Sequence, residues 1–192
     1  MKKSSRKNRR SSSRTGTATR KSSDSRPGAT AYLGLGSNLG DRKANLIAAL
    51  WEIGRRAPLV AVSSFYRSEP EGYSGQPEFW NAAAEISWRG SPEDLLRAAK
   101  QIERRLGRSK TFPGGPREID VDILDLGGLV REAPDPVLPH PRLASRRFAL
   151  APLAEIAPAW RHPVTGRRAK EMMAALPSRP WVERILERRA DG

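Results

Sequence analysis

Two aspartates separated by one residue are the strongest candidates for chemistry in this sequence. Asp120 and Asp122 lie in the segment 119–123, where acids alternate with branched apolar residues. Because successive side chains of a strand point to opposite faces, both carboxylates would project from one face, with Cα atoms about 6.5–7 Å apart. Hard oxygen ligands at this separation suit a pair of Mg²⁺ ions about 3.5–4 Å apart. From the spacing alone, two solvated acids on an exposed strand are an equally good interpretation.

Basic residues on both sides of the acids favour the metal hypothesis. The cluster consists of Arg108, Lys110, Arg117, His140, Arg142, Arg146 and Arg147. Guanidinium groups bind phosphate oxygens through paired hydrogen bonds, and a histidine can donate to the same oxygens. Metal-binding acids beside such cations are what phosphoryl or pyrophosphoryl transfer requires. For any single arginine a surface ion pair is the better interpretation, but the whole cluster favours a site for metal-bound phosphate.

The glycines near the N-terminal end of the folded region do not form a standard nucleotide-binding loop. Gly34, Gly36 and Gly40 are spaced G-x-G-x-x-x-G, which departs from the dinucleotide fingerprint, and the P-loop pattern does not occur. If ATP binds this chain, a different scaffold must hold it.

The elements that would position these residues follow a specific order. The apolar patterns predict strands over 30–36, 59–67, 79–88 and 117–126, with helices over 41–54 and 91–107. The order β-α-β-β-α-β predicts an α+β fold, the ferredoxin-like sandwich. An added C-terminal helical part is predicted as a proline-rich loop and short helix over 134–158 and a last helix over 181–189.

The basic charge is concentrated in the first thirty residues. The 192-residue chain has a net charge of +14, and residues 1–30 contain ten Lys or Arg and one acid, a net +9. Residues 1–29 contain no Leu, Ile, Val or aromatic residue, so they cannot bury enough apolar surface to offset ordering. We therefore expect a disordered basic tail over 1–29 and one folded domain over 30–192.

Composition also excludes several classes of protein. Cysteine is absent, which excludes disulfide scaffolds, thiolate metal sites and cysteine nucleophiles. No run of eighteen apolar residues occurs, so a membrane span is not expected and a cytoplasmic location is the default. Charge alone supports a nucleic-acid-binding protein, and we expect at most non-specific contacts through the tail.

Five segments, taken together, resemble the 6-hydroxymethyl-7,8-dihydropterin pyrophosphokinases. They are GLGSNLG (34–40), SFYRS (64–68), QPEFWNAA (76–83), GPREIDVDIL (115–124) and LPHP (138–141), in the family's order and at its spacings. The resemblance implies a ferredoxin-like fold, ATP bound with two Mg²⁺ ions, and transfer of pyrophosphate to the pterin hydroxymethyl oxygen. AMP would be released, and the product would enter folate synthesis.

The resemblance also implies roles for individual residues. Asp120 and Asp122 would bind Mg²⁺ and act in catalysis with Arg108 and Arg117. The further ATP contacts would be Glu103, Lys110, His140 and Arg146. The pterin would be bound by Phe79 and Phe148 on its faces and by Ser68, Glu71 and Asn81 at its polar edge. Both phenylalanines also suit an ordinary core, whereas an amide in an apolar strand needs partners.

Two positions depart from the family pattern. Gly114 stands where members often have an aromatic residue, and Asp135 stands where some have arginine. A metal-dependent nuclease would also use Asp120 and Asp122, but it offers no role for Phe79, Asn81 and Phe148. We expect a monomer whose partners are two small molecules, ATP and a hydroxymethyl-pterin.

Overall fold

Strands and helices alternate in the computed structural model of the chain, which describes residues 28–109 and 112–186. The elements are β1 (Ala29–Ser37), α1 (Arg42–Gly54), β2 (Leu59–Val62), β3 (Tyr66–Ser68), β4 (Phe79–Trp88), α2 (Pro92–Arg105), β5 (Asp120–Leu126), α3 (Arg147–Ile156), α4 (Ala169–Ala174) and β6 (Val182–Arg184). The result is a mixed α/β fold, as the alternating periods predict. Among these residues no helix is both long and apolar enough to cross a membrane.

All strands belong to one antiparallel sheet. Its order is β5-β1-β4-β3-β6, and β2 also pairs with β4. β1 therefore lies between β4 and β5, and its register places Gly36 opposite Asp120 and Gly34 opposite Asp122. Each acid thus has a residue without a side chain as its cross-strand neighbour.

The two faces of the sheet have different coverings. On one face the buried alternate residues of β1, among them Leu33 and Leu35, pack with the apolar stripes of α1 and α2. On the other face Leu124 packs with α3 and α4. A Cβ on Gly34 would meet Leu124 Cδ2 at 3.1 Å, which places the β1 glycines on this second face. Glycine here leaves open the surface beside the acids.

Helix α2 begins where the sequence predicts. Ser91 Oγ accepts from Asp94 N at 3.1 Å, and the Asp94 carboxylate accepts from Ser91 N at 3.1 Å, which forms a capping box. Pro92 occupies the first helical turn, where its missing N–H costs nothing. This cap fixes the start of the helix that carries Lys100 and Glu103.

Two strand predictions need correction at their boundaries. The predicted strand 59–67 is two strands, because Ser63 Oγ accepts from Ala83 N at 2.9 Å and donates to Ser64 O at 2.7 Å, which interrupts the regular ladder. The strand predicted from Arg117 begins at Asp120, because Arg117 O accepts from the backbone N–H groups of the turn after β1.

The prediction of a helix over 181–189 is wrong for the residues that the structure describes. Val182–Arg184 form β6 and pair with β3, because the free edge of β3 offers backbone partners to an extended chain. Helices α3 and α4 do form after the proline-rich loop, so the expected C-terminal helical part is present in that stretch. Residues 1–27 of the predicted tail lie outside the described residues.

We predict that Ser91→Ala lowers the free energy of unfolding by about 0.5–2 kcal/mol, because it removes the acceptor for Asp94 N. Ser91→Asn is the matched control, since asparagine caps helices as well as serine does. Urea denaturation monitored by circular dichroism measures both variants. An unchanged midpoint in Ser91→Ala would show that the cap contributes nothing to stability.

Candidate active site

A cleft of about 580 Å³ opens on the sheet face that carries the two acids. The predicted site residues that line it are Ser68, Glu71, Phe79, Asn81, Arg108, Arg117, Asp120, Asp122, His140, Arg146 and Phe148. Lys110 lies outside the described residues. Residues far apart in sequence, from β3 to α3, therefore share one cavity.

Asp120 is held between two arginines. Its carboxylate lies 2.5 Å from Arg108 Nη1 and 2.9 Å from Arg117 Nη1. Burial alone would raise the pKa of Asp120, but the charges of Arg117 and Arg108 outweigh it and lower the pKa. Asp120 is therefore ionised at neutral pH, as a metal ligand must be.

Asp122 is more open and lies near one arginine and one histidine. Its Oδ2 lies 3.5 Å from Arg146 Nη1 and 3.9 Å from His140 Nε2. Burial lowers the pKa of His140; the charge of Asp122 opposes this effect, and the charges of Arg146 and Arg142 add to it. A neutral His140 keeps one ring N–H, with which it can donate to a phosphate oxygen.

Glu103 is not among the residues that line the cleft, and its contact with ATP stays a prediction. It is 3% exposed, and it accepts hydrogen bonds from Lys100 Nζ at 2.8 Å and from Val121 N at 2.9 Å. Arg108 Nη1 lies 2.5 Å from the same carboxylate. Because α2 packs on β5, this side chain reaches the strand rather than the cavity. Glu103 thus holds Arg108 in place beside Asp120.

The opposite side of the cleft carries the aromatic and amide groups. Asn81 is buried, and its Nδ2 donates to Ser68 Oγ at 3.0 Å, which leaves its carbonyl oxygen available to the cavity. The guanidinium carbon of Arg117 lies 5.3 Å from the Phe79 ring centroid, and that of Arg146 lies 5.3 Å from the Phe148 centroid. Each ring thus has a guanidinium group over one of its faces.

Glu71 connects this side of the cleft to the cationic side. Its Oε2 lies 3.5 Å from Arg146 Nε. Burial raises the pKa of Glu71, and the charges of Arg146 and Arg142 oppose this effect. Arg146 therefore touches both Glu71 and Asp122, which places it at the junction of the two halves.

The sequence analysis missed a polar centre that ties three loops together. Asn38 is 2% exposed; its Nδ2 donates to Gln76 Oε1 at 3.0 Å and to Pro77 O at 3.2 Å, and its Oδ1 accepts from Arg117 N at 2.8 Å. Gln76 Nε2 in turn donates to Gly114 O at 2.9 Å. The signal available in the sequence was an asparagine within a glycine-rich turn.

Gly114 departs from the family pattern for a local reason. Its φ of +78° lies in the left-handed region, which glycine adopts without the strain that a side chain would cause. Phe112, the nearest aromatic residue, packs edge-on against Tyr73 at 5.4 Å between centroids. Lys100, one helical turn before Glu103, also lines the cleft, and the sequence analysis did not name it.

The acid pair fits a metal that is completed by its substrate. Among the described residues there is no group of three or more His, Cys, Asp or Glu side chains arranged to hold an ion. Two carboxylates without further protein ligands are unsuited to a structural metal cage. They suit Mg²⁺, which binds one or two carboxylates and takes its other oxygens from water and phosphate.

Comparison with other proteins settles the family. The sequence profile of the 7,8-dihydro-6-hydroxymethylpterin-pyrophosphokinase (HPPK) family matches residues 32–158, which contain every predicted site residue. The chain belongs to this family. The 2-amino-4-hydroxy-6-hydroxymethyldihydropteridine pyrophosphokinase of Bacillus subtilis is 43% identical over 128 residues, 66% of this chain and 77% of that protein. The enzyme of the same name from Pseudomonas aeruginosa is 41% identical over 149 residues, 76% of this chain and 91% of that protein.

Some similar proteins are much longer. The folic acid synthesis protein FOL1 of Dictyostelium discoideum is 39% identical over 147 residues, which are 77% of this chain but 22% of that protein. A solved Plasmodium falciparum HPPK-DHPS structure has a TM-score of 0.62 at 13% identity, covering 80% of this chain and 46% of that one. This structural likeness supports the fold. The chain thus matches only one part of these larger HPPK relatives.

We predict that Asn38→Ala lowers the free energy of unfolding by about 1–3 kcal/mol, because Arg117 N–H loses its acceptor inside the protein. Gln76→Ala serves as the comparison, since it removes one bond to Asn38 and two exposed bonds but leaves the acceptor of Arg117 N–H in place, and its loss should be smaller. Thermal and urea unfolding of both variants measure the difference. Equal losses would show that Asn38 is not the centre of the network.

Proposed function

We propose that this chain transfers pyrophosphate from ATP to the hydroxymethyl oxygen of 6-hydroxymethyl-7,8-dihydropterin, releasing AMP, as a step of folate synthesis. Family membership supports the reaction class. The single observation that carries the site assignment is the cleft in which Asp120 and Asp122 lie between a cationic side and an aromatic side. Such a site presents phosphate-binding groups and heterocycle-binding groups to each other across two acids.

Two Mg²⁺ ions would be held by Asp120, Asp122 and the oxygens of the triphosphate. When bound, Mg²⁺ neutralises charge that develops on the transferred group and its leaving oxygen. Arg108 and Arg117 now bind Asp120, so we propose that both turn to phosphate oxygens when ATP brings its metal ions. Glu103 would keep Arg108 close to the cleft during this change, since it holds the same guanidinium group.

The pterin would lie between Phe79 and Phe148. Its amide-like edge requires donors and acceptors at fixed positions, which Asn81, Ser68 and the neighbouring Glu71 would supply. The hydroxymethyl oxygen would then attack the β-phosphorus: a new O–P bond forms, the bond from the β-phosphorus to the α–β bridging oxygen breaks, and AMP leaves with that oxygen. The proton of the hydroxyl group is released in the process.

The finer features of the fold remain part of the proposal. The order β5-β1-β4 followed by β2 and β3 supports the ferredoxin-like arrangement for the region from β1 to β5. The larger HPPK-DHPS chains share only a part with this one, so their other activities are not assigned to it. A monomeric state and a cytoplasmic location stay predictions.

The direct test is incubation of the full chain with ATP, Mg²⁺ and 6-hydroxymethyl-7,8-dihydropterin, followed by nucleotide chromatography. We expect AMP and the pterin pyrophosphate in equal amounts, and no AMP when Mg²⁺ is chelated. Formation of ADP, or AMP without pterin consumption, would contradict a pyrophosphokinase. Cleavage of DNA or RNA under the same conditions would instead favour the nuclease hypothesis.

We predict that Asp120→Asn and Asp122→Asn each lower turnover by orders of magnitude, because each removes a charged metal ligand. Their effects on the metal-free protein should differ. Relief of repulsion between the acids predicts unchanged or higher stability, but Asp120 has two arginine partners, so its loss should lower the melting temperature. Asp122→Asn should leave the melting temperature almost unchanged. Near-normal AMP formation in both variants would remove the proposed metal site.

We predict that Phe148→Ala weakens pterin binding by about 1–3 kcal/mol and leaves ATP affinity nearly intact, because only the heterocycle would stack on this ring. Trp51→Ala on α1 is a matched control, since it removes an exposed aromatic ring that does not line the cleft. Calorimetric titration with each ligand measures the changes in pterin affinity and ATP affinity separately. Equal weakening of both ligands by Phe148→Ala would identify Phe148 as a core residue only.

A further inference from the structure

The chain after α3 returns to the pterin side of the cleft and contacts it at two separate places. We call residues 169–185, from α4 to the end of β6, the C-terminal brace. The family profile ends at residue 158, so no part of the brace lies in the matched region. None of the residues that line the cleft belongs to the brace either.

The first contact is with the N-terminal turn of α3. Arg147 Nη1 donates to three carbonyl oxygens of the brace, those of Met173 at 3.0 Å, Pro177 at 3.2 Å and Leu176 at 3.3 Å. These carbonyls lie at and just beyond the C-terminal end of α4, where backbone acceptors lack helical partners. Arg147 stands between Arg146 and Phe148, both of which line the cleft. The orientation of this turn therefore depends on the end of α4.

The second contact is with β3, on the other side of the pterin cavity. β6 pairs with β3 in antiparallel register, and Val182 lies opposite Ser68. Glu69 N donates to Trp181 O at 3.2 Å, and Trp181 N donates to the Glu69 carboxylate at 3.0 Å. Ser68 holds Asn81 through its hydroxyl group, so β6 fixes the strand on which the amide of the pterin site depends.

The two contacts are linked through the far end of α3. Glu155 accepts hydrogen bonds from Tyr66 Oη at 2.8 Å and Ser64 Oγ at 2.9 Å, and Arg184 of β6 lies 3.5 Å from the same carboxylate. α3, β3 and β6 therefore form a closed set of connections. The triphosphate side, with Arg108, Arg117 and α2, has no connection to the brace in this set.

We propose that the C-terminal brace sets the width of the pterin cavity and so determines pterin affinity, with Arg147 and the backbone of Glu183 as positioning residues. The brace fixes Phe148, which would stack on one face of the heterocycle, through α3, and Ser68, which holds Asn81 at its polar edge, through β3. A flat ring held by a stacking group and an edge group loses affinity steeply when the distance between these groups changes. Of the residues proposed for ATP, Arg108 and Arg117 lie outside this set of connections and only Arg146 stands next to Arg147, so the effect on ATP affinity should be smaller than the effect on pterin affinity. This inference rests on the proposed function, since the pterin is its ligand.

Two variants at Glu183 form a matched pair that tests the hydrogen-bond ladder between β3 and β6. Glu69 N donates to Trp181 O, and Ile185 N donates to Phe65 O. Because hydrogen-bonded pairs alternate along an antiparallel ladder, the Glu183 N–H between them points to β3. Glu183→Pro removes that N–H and disturbs the ladder. Glu183→Ala keeps the N–H and removes only the exposed ion pair with Arg67, which spans 2.8 Å.

Arg147 offers a second, independent test away from the strand. Arg147→Met keeps an unbranched apolar stem and removes all three bonds to carbonyls, whereas Arg147→Lys keeps a cation that can bond to one of them. Arg161→Met is the matched control, because Arg161 Nη1 donates to one carbonyl, Gly166 O at 2.9 Å, on the exposed surface. Both changes to methionine alter charge equally, and only one of them touches the brace.

The experiment measures the dissociation constants of 6-hydroxymethyl-7,8-dihydropterin and of a non-hydrolysable ATP analogue with Mg²⁺, the KM for each substrate, kcat, and the melting temperature. We expect Glu183→Pro and Arg147→Met to raise the pterin dissociation constant and KM at least about fivefold, with ATP affinity within about twofold. Arg147→Lys should lie between the wild type and Arg147→Met. Glu183→Ala and Arg161→Met should match the wild type.

The outcomes separate this inference from the proposed function. If the unchanged chain forms AMP and binds the pterin, but the two disruptive variants weaken both ligands equally, the brace only stabilises the fold and the inference is wrong. Unchanged pterin affinity in both variants would also overturn it. Should Glu183→Pro fail to fold, Arg147→Met alone decides between these results. A wild-type chain that neither binds the pterin nor forms AMP would overturn the proposed function and the inference together.

Discussion

The site depends on two like-charged carboxylates placed two residues apart on one face of the sheet. Burial disfavours the charged form of Asp120, and a second negative charge two residues away adds to that cost. Arg108 and Arg117 offset it, and their charges keep the pKa of Asp120 low. Glu103 then holds Arg108 from behind. The charged side chains of α2, of β5 and of the loop between them therefore depend on one another for neutralisation.

This arrangement has a direct consequence for binding. The arginines that neutralise Asp120 in the free protein are the groups that a triphosphate needs. In the proposed function Asp120 and Asp122 would hold the metal ions, and Arg108 and Arg117 would then be free to bind phosphate oxygens. Metal ions without phosphate would meet both arginines, and phosphate without metal ions would meet both acids. On this proposal the free site would favour a metal-nucleotide complex over either part alone.

The sequence predicted the parts of the structure that depend on local pattern. The alternation around Asp120, the capping signal at Ser91 and the apolar stripe of α2 each depend on neighbouring residues, and each prediction is confirmed in position to within a few residues. The family resemblance placed most of the site residues, because it carries information on distant residues that no single segment contains. Their individual roles stay predictions.

The sequence could not show which segments that are distant in the chain contact each other. β6 is a strand because the edge of β3 is free, and a prediction from residues near Trp181 alone gave a helix instead. Glu103 points at β5 rather than into the cleft because of how α2 packs, which helix periodicity does not determine. The role of Asn38 likewise appears only when the turn after β1, the loop before β4 and Arg117 come together.

These contacts between distant segments divide the site into two parts that are held by different kinds of interaction. The triphosphate side is held by charge, through Asp120, its arginines and Glu103, so it can rearrange when an ion or phosphate changes the charge balance. The pterin side is held by backbone ladders and by carbonyl bonds to Arg147, which do not respond to charge in this way. Arg146 is the cationic group that joins them, through Glu71 on one side and Asp122 on the other. Binding of the nucleotide would draw Arg146 towards phosphate and away from Glu71, and so free the polar edge of the pterin cavity. The two substrates would thereby be coupled through one side chain, while the width of the pterin cavity stays constant.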